Sequence, residues 1–172
     1  MPTPSLRTSG HLAARPGSRA IGLIRQALLG ILLLGIVGTT IELLLLEHFE
    51  DAWQWTPFSL FAIGVSVLAW YAVRRSAAAV RAFRIVMAAF IASGALGVYL
   101  HYSGNVEFER EMSPDVGGWA LFREAIAGAT PVLAPGVMVQ FGLLGLVFTL
   151  NHPALRSSGR GAERDAGDGD AE

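Results

Sequence analysis

Apolar residues fill four long stretches of this chain, at about 21–46, 57–73, 85–102 and 135–150, and polar residues collect between them. The first stretch is interrupted by Arg25, Gln26 and Glu42. At about 1.5 Å of helical rise per residue it outreaches a hydrocarbon core of about 30 Å. A basic start followed by an apolar run is also the pattern of a secretory signal peptide. Here the run is long for such a segment, and its leucines continue past the small residues near Gly38, so a retained helix is expected.

The residues between the stretches mark their ends. Trp53 and Trp55 follow the first, and Trp70 with Tyr71 closes the second, as in the aromatic belts of two membrane faces. Thr56-Pro57 reads as an N-cap with proline at the first helical position. Residues 74–84 read as a short basic loop. Ala89, Ser93 and Gly97 recur every fourth residue in the third stretch, and Gly35 and Thr39 sit in the first; small residues let helices approach closely in lipid. Residues 103–134 form the longest connection. Ser113-Pro114-Asp115 is a helix-start signal. Within 118–129, Trp119, Phe122 and Ile126 share one helical face, with Arg123 and Glu124 away from it. That pattern predicts a short amphipathic helix on the membrane surface or over the mouth of the bundle.

The expected fold is therefore all-α: a polytopic integral membrane protein with four transmembrane helices, plus a surface helix between the third and fourth. A membrane domain at 20–152 is flanked by tails, 1–19 and 153–172, whose composition predicts disorder.

Composition supports this. The chain has 172 residues, of which 52% are hydrophobic and 16% charged, with mean hydropathy +0.47. Soluble domains carry about 25% charged residues. The net charge of −1 gives no case for nucleic acid, and the absence of cysteine excludes disulfides, thiol chemistry and iron–sulfur clusters. All 13 cationic residues are arginine. Eleven fall in the N-terminal region, the 74–84 segment and the C-terminal tail; Arg110 and Arg123 alone lie on the other side. The positive-inside rule then puts both termini in the cytoplasm of a cell (inner) membrane protein. The opposite face carries nine carboxylates, which concentrate cations there.

Candidate chemistry gathers on that acidic face, where 39–51 closes the first stretch and 101–111 closes the third. Glu42 lies about one turn inside the apolar segment, a depth at which an ionisable group needs a partner. Gln140, at equal depth in the fourth stretch, is the expected one. His48 and His101, with Asp51 and Glu47 beside His48, are candidate ligands for a divalent metal or a b-type haem. Their spacing matches no metal motif, and an ideal helix sets His48 about 120° from Glu42. Glu107, Glu109 and Glu111 read as a solvated, locally extended acidic turn. His152, at the end of the fourth stretch, complements a helix C-terminus. No catalytic motif is present: no GxSxG, Walker A or zinc-protease signature. The expectation is a non-enzymatic accessory or structural subunit of a membrane assembly. Its partners would be the bilayer and other membrane proteins or copies of itself. The alternatives are a cation- or proton-translocating protein using Glu42 and the outer acidic and histidine cluster, and a bis-histidine haem electron carrier. A reporter fused after Arg156 is expected to be active on the cytoplasmic side only; activity on the outer side would contradict the topology.

Overall fold

The computed structural model describes residues 16–155; Arg7, His11, Arg15, Arg156, Arg160 and Arg164 lie outside them. Among the described residues every regular element is helical. These are α1 (Pro16–Leu45), α2 (Trp55–Arg74) after a 3-10 turn at Ala52–Gln54, α3 (Ala77–Met112), α4 (Gly118–Ile126) and α5 (Gly136–Thr149). Three segments, Arg19–Leu45, Ala52–Arg74 and Ala77–Met112, are long and apolar enough to cross a membrane. The fourth apolar helix, α5, matches the expected 135–150 to within a residue at each end; its 14 residues rise about 21 Å, against a core of about 30 Å. Pro131 and Pro135 prevent it from running further back, and tight turns replace it there, Ala134 N–H on Pro131 O at 3.2 Å and Gly136 N–H on Leu133 O at 2.9 Å.

The third helix is longer than expected at both ends. There is no loop at 76–84. Arg75 takes a left-handed φ of 45° with its N–H on the Tyr71 carbonyl, and Ser76 caps the next helix by accepting from Ala79 N–H at 3.2 Å. The alanines at 77–79 favour helix from the first turn. At the other end, 107–111 continues α3 rather than forming an extended turn, since Glu and Arg are good helix formers and no proline occurs before Pro114.

α2 and α3 form an antiparallel hairpin, α5 lies along α3, α1 packs on α5, and α4 rests on the far end of α3. The core joins Phe83, Met87 and Phe90 of α3 to Phe61 and Leu68 of α2, Met138, Phe141 and Phe148 of α5, and Leu32 and Ile36 of α1. Its rings touch in sequence, Phe90 to Phe61 at 5.7 Å and Phe61 to Phe141 at 6.2 Å between centroids.

Small residues set the closeness of α3 and α5, as expected in kind, but on a different row. A Cβ on Gly142 would stand 2.6 Å from the Met87 carbonyl oxygen, and one on Gly94 would stand 2.8 Å from the Val139 nitrogen. Ala89 and Ser93 are only partly covered. Steps of four residues drift about 40° each around a helix, so the 89/93/97 row cannot follow one contact line. Gly97 and Gly35 do make close contacts, with Pro135 and Phe141.

Gly142→Ala is expected to destabilise the protein by about 1–3 kcal/mol, because the obstacle is backbone. Gly30→Ala, which meets nothing within 4 Å, is expected to be neutral or stabilising by up to about 1 kcal/mol. Thermal unfolding in mild detergent, followed by circular dichroism, separates the two; equal midpoints would refute the close-packing account.

Candidate functional site

The two ends of the bundle are both polar but built differently. At one end, arginines from two helices cap α5. Arg25 donates to the Leu150 and Asn151 carbonyls at 3.0 and 3.1 Å, and Arg84 donates to the Thr149 hydroxyl and carbonyl at 2.9 and 3.1 Å. These are the carbonyls a helix leaves unpaired at its C-terminus, and the cations oppose its negative dipole end. His152 is buried there. Its Nδ1 accepts from Ala154 N–H at 3.2 Å, so the ring is neutral and carries its proton on Nε2, which points at the Tyr71 hydroxyl 2.9 Å away. Burial first, then the charges of Arg25, Arg84 and Arg75, lower the His152 pKa from its ordinary 6.5. Sequence reasoning counted these arginines only as markers of topology; their meeting with residues more than 60 positions away leaves no trace in linear spacing.

At the other end α1 stops in a left-handed turn. Glu47 has φ 53°, Glu47 N–H bonds the Leu44 carbonyl at 3.2 Å, and His48 N–H bonds the Leu43 carbonyl at 2.9 Å. This is the paired C-terminal closure that glycine usually occupies. A non-glycine residue there costs about 1–2 kcal/mol. The turn redirects His48, so that Glu42 and His48, divergent on an ideal helix, line one cavity of about 720 Å³. Asp51, Gln54 and Thr56 line it from the loop and the start of α2, Ser93 and His101 from α3, and Thr130 and Pro131 from the segment before α5. Leu43, Leu96, Leu100, Val137 and Met138 supply apolar walls, and no arginine reaches it.

The His48 and His101 rings meet edge to face, with centroids 6.3 Å apart. His101 Nδ1–H donates to the Pro131 carbonyl at 2.9 Å, which leaves its Nε2 lone pair free. Burial first, and then the neighbouring His101, lower the His48 pKa from 6.5. An iron about 2.0 Å from each of two axial imidazole nitrogens would hold the ring centres roughly 6 Å apart, a separation these rings already have. Among the described residues no three His, Asp or Glu side chains gather closely enough to hold a metal ion.

The structure thus brings together Glu42, His48, Asp51 and His101. It does not bring Gln140 to Glu42. Gln140 is exposed outside the cavity, and no hydrogen bond joins the two among the described residues. Gly35 faces Phe141, so Glu42 stands roughly 10 Å further along α1 than the level of Gln140. Glu47 is exposed at the turn itself. Glu107 and Glu111 line a separate groove of about 540 Å³ with Tyr99, Tyr102, Ser103 and Arg110, and Glu109 lies on the same two turns of α3.

Sequence reasoning missed Asn105. It is almost fully buried, donates to the Ala125 and Thr130 carbonyls at 2.8 Å each, and accepts from Thr130 N–H at 3.2 Å. With His101 one turn away, it fastens the irregular segment before α5. The four-residue spacing of the two was the available signal. On α4, Leu121 and Ala125 are buried while Trp119, Phe122 and Ile126 face outward, Trp119 stacked on Phe122 at 4.9 Å.

No known protein family, curated protein or solved structure matches the chain.

Both lowered histidine pKa values act on stability with one sign. Each ring is neutral in the fold and binds protons more readily when unfolded. Stability is therefore full above about pH 6.5 and declines as pH falls through the folded-state values. Melting temperature in detergent is expected to drop on acidification below that point. His152→Gln should flatten the profile, and adding His48→Gln should flatten it further. An unchanged profile in the double variant would refute the assignment.

Proposed function

We propose that the chain is a four-span protein of the cell (inner) membrane, with both termini in the cytoplasm. It works by binding rather than catalysis, as an accessory subunit of a membrane assembly. Support for a fourth span comes from the ends of α5. Its C-terminus lies at the Arg25 and Arg84 level, and the segment before it reaches His101 and Asn105. The α3 stretch between Arg84 and Asn105 rises about 31 Å, the thickness of a bilayer core.

The observation that carries the accessory reading is the state of α1. Leu32 and Ile36 are buried, and Leu33, Leu34, Val37, Ile41 and Leu44 are exposed on the rest of the helix. That surface fits lipid or a neighbouring transmembrane helix, and an uncatalytic sequence with a free helix face suits a subunit that docks through it. A second reading, cation binding at the outer cavity, is favoured by Glu42 and Asp51 facing a space that no arginine lines. Passage of the cation onward is opposed by the Phe90–Phe61–Phe141 packing in the core.

A photo-crosslinker placed at Leu34 in intact membranes is expected to give a discrete adduct with another membrane protein or a second copy of the chain. Adducts with lipid alone would count against the accessory role.

A further inference from the structure

We propose that the outer cavity is a receptor site for an organic cation with an apolar body, an amine or onium group on a hydrophobic frame, admitted from the outer leaflet between α1 and α3. The inference rests on the cation-binding reading and narrows it to a ligand class.

Charge sets the sign of the ligand. Glu42 and Asp51 line the cavity, no arginine does, and among the described residues no hydrogen bond engages the Glu42 carboxylate. A carboxylate at that depth in a membrane protein marks a place where a positive partner is stabilised. The walls set its body. Leu43, Leu96, Leu100, Val137 and Met138 offer hydrocarbon, which a small hydrated ion cannot use, and the volume of about 720 Å³ lies within the roughly 300–1,000 Å³ of small-molecule sites. The described residues bring no three ligating groups together for a metal ion. Trp53, exposed at the rim, adds an aromatic face of the kind that attracts onium groups.

Helix packing supplies the route. α1 packs on α5 and only lightly on α2, while α3 packs on α2, α4 and α5. The space between α1 and α3 at the outer end is therefore the cavity itself. His48 laid against His101 narrows it on the aqueous side, which leaves the lipid side for an amphiphile to enter.

The test uses the full chain in nanodiscs of zwitterionic lipid and equilibrium dialysis with labelled tetraphenylphosphonium. Tetraphenylborate, alike in size and shape and opposite in charge, is the control. Saturable binding of the cation above empty nanodiscs is expected. Glu42→Gln should weaken it about tenfold or more, Glu42→Asp should retain part of it, and Leu100→Trp should abolish it by filling the cavity. Thermal unfolding of each variant reports that it is folded. Saturable binding of the borate, or cation binding indifferent to Glu42→Gln, would overturn the proposal. Titration with Na⁺ and Zn²⁺ separates the layers. Glu42-dependent binding of an inorganic cation without the phosphonium would overturn the ligand class and leave the cation reading standing. No Glu42-dependent binding of either kind would overturn both.

Discussion

A carbonyl or amide at membrane depth has no water to bond, and in the four-span arrangement proposed above that constraint falls hardest on α5, whose 14 residues rise about 21 Å, less than the thickness of a hydrocarbon core. The rest of the polar architecture answers to it. Arg25 and Arg84 reach the last carbonyls of α5 at one end, and His101 and Asn105 hold the irregular chain that precedes it at the other. Unsatisfied, these groups would cost several kcal/mol each in lipid. A longer α5 would need no such partners, and the outer cavity would be filled by its extra turns. The cavity exists because Pro131 and Pro135 stop the helix early and the replacement segment is pinned against α3 instead.

Close packing of α3 on α5 makes that pinning possible. Gly94, Gly142 and Gly145 bring the two helices near enough for Met87 and the phenylalanines to interlock, and they fix the height at which Pro135 meets Gly97. With that height set, His101 and Asn105 stand opposite the carbonyls they bond. α1 is placed differently. It packs on α5 through one stripe and only lightly on α2, so the same core that tightens one side of the bundle leaves a cavity between the outer ends of α1 and α3.

What the sequence made legible follows from the range of the physics involved. Apolar runs longer than a bilayer report themselves, and so does the amphipathic pattern that became α4. The convergence of Glu42, His48 and Asp51 with His101 was also readable, because two helices separated by one antiparallel helix run the same way and end at the same face. Properties that depend on three-dimensional register were not. The 89/93/97 row looked like a contact line, yet the contact ran through Gly94. Glu42 and Gln140 looked level by counting from apolar boundaries, but Phe141 stands at Gly35, so the end of α1 and the start of α5 do not share a height and the counting failed. Arg84 and the 107–111 acids looked like loop residues because charge was taken to mark a helix boundary; good helix propensity carried α3 through both.

Glu47 shows how a locally unfavourable residue is tied to the site. A glycine at that left-handed position would relieve the strain and permit other chain paths beyond α1, and the acidic side chain is itself exposed and bonded to nothing among the described residues. Its conformation is held instead by the two backbone hydrogen bonds of the closure and by His48 resting on His101. A strained residue persists where surrounding contacts over-determine it. Here those contacts run through the one histidine pair that spans the cavity. The end of α1, the mouth of the cavity and the anchored segment before α5 are therefore one mechanical unit. All three meet at the cavity that Glu42 lines.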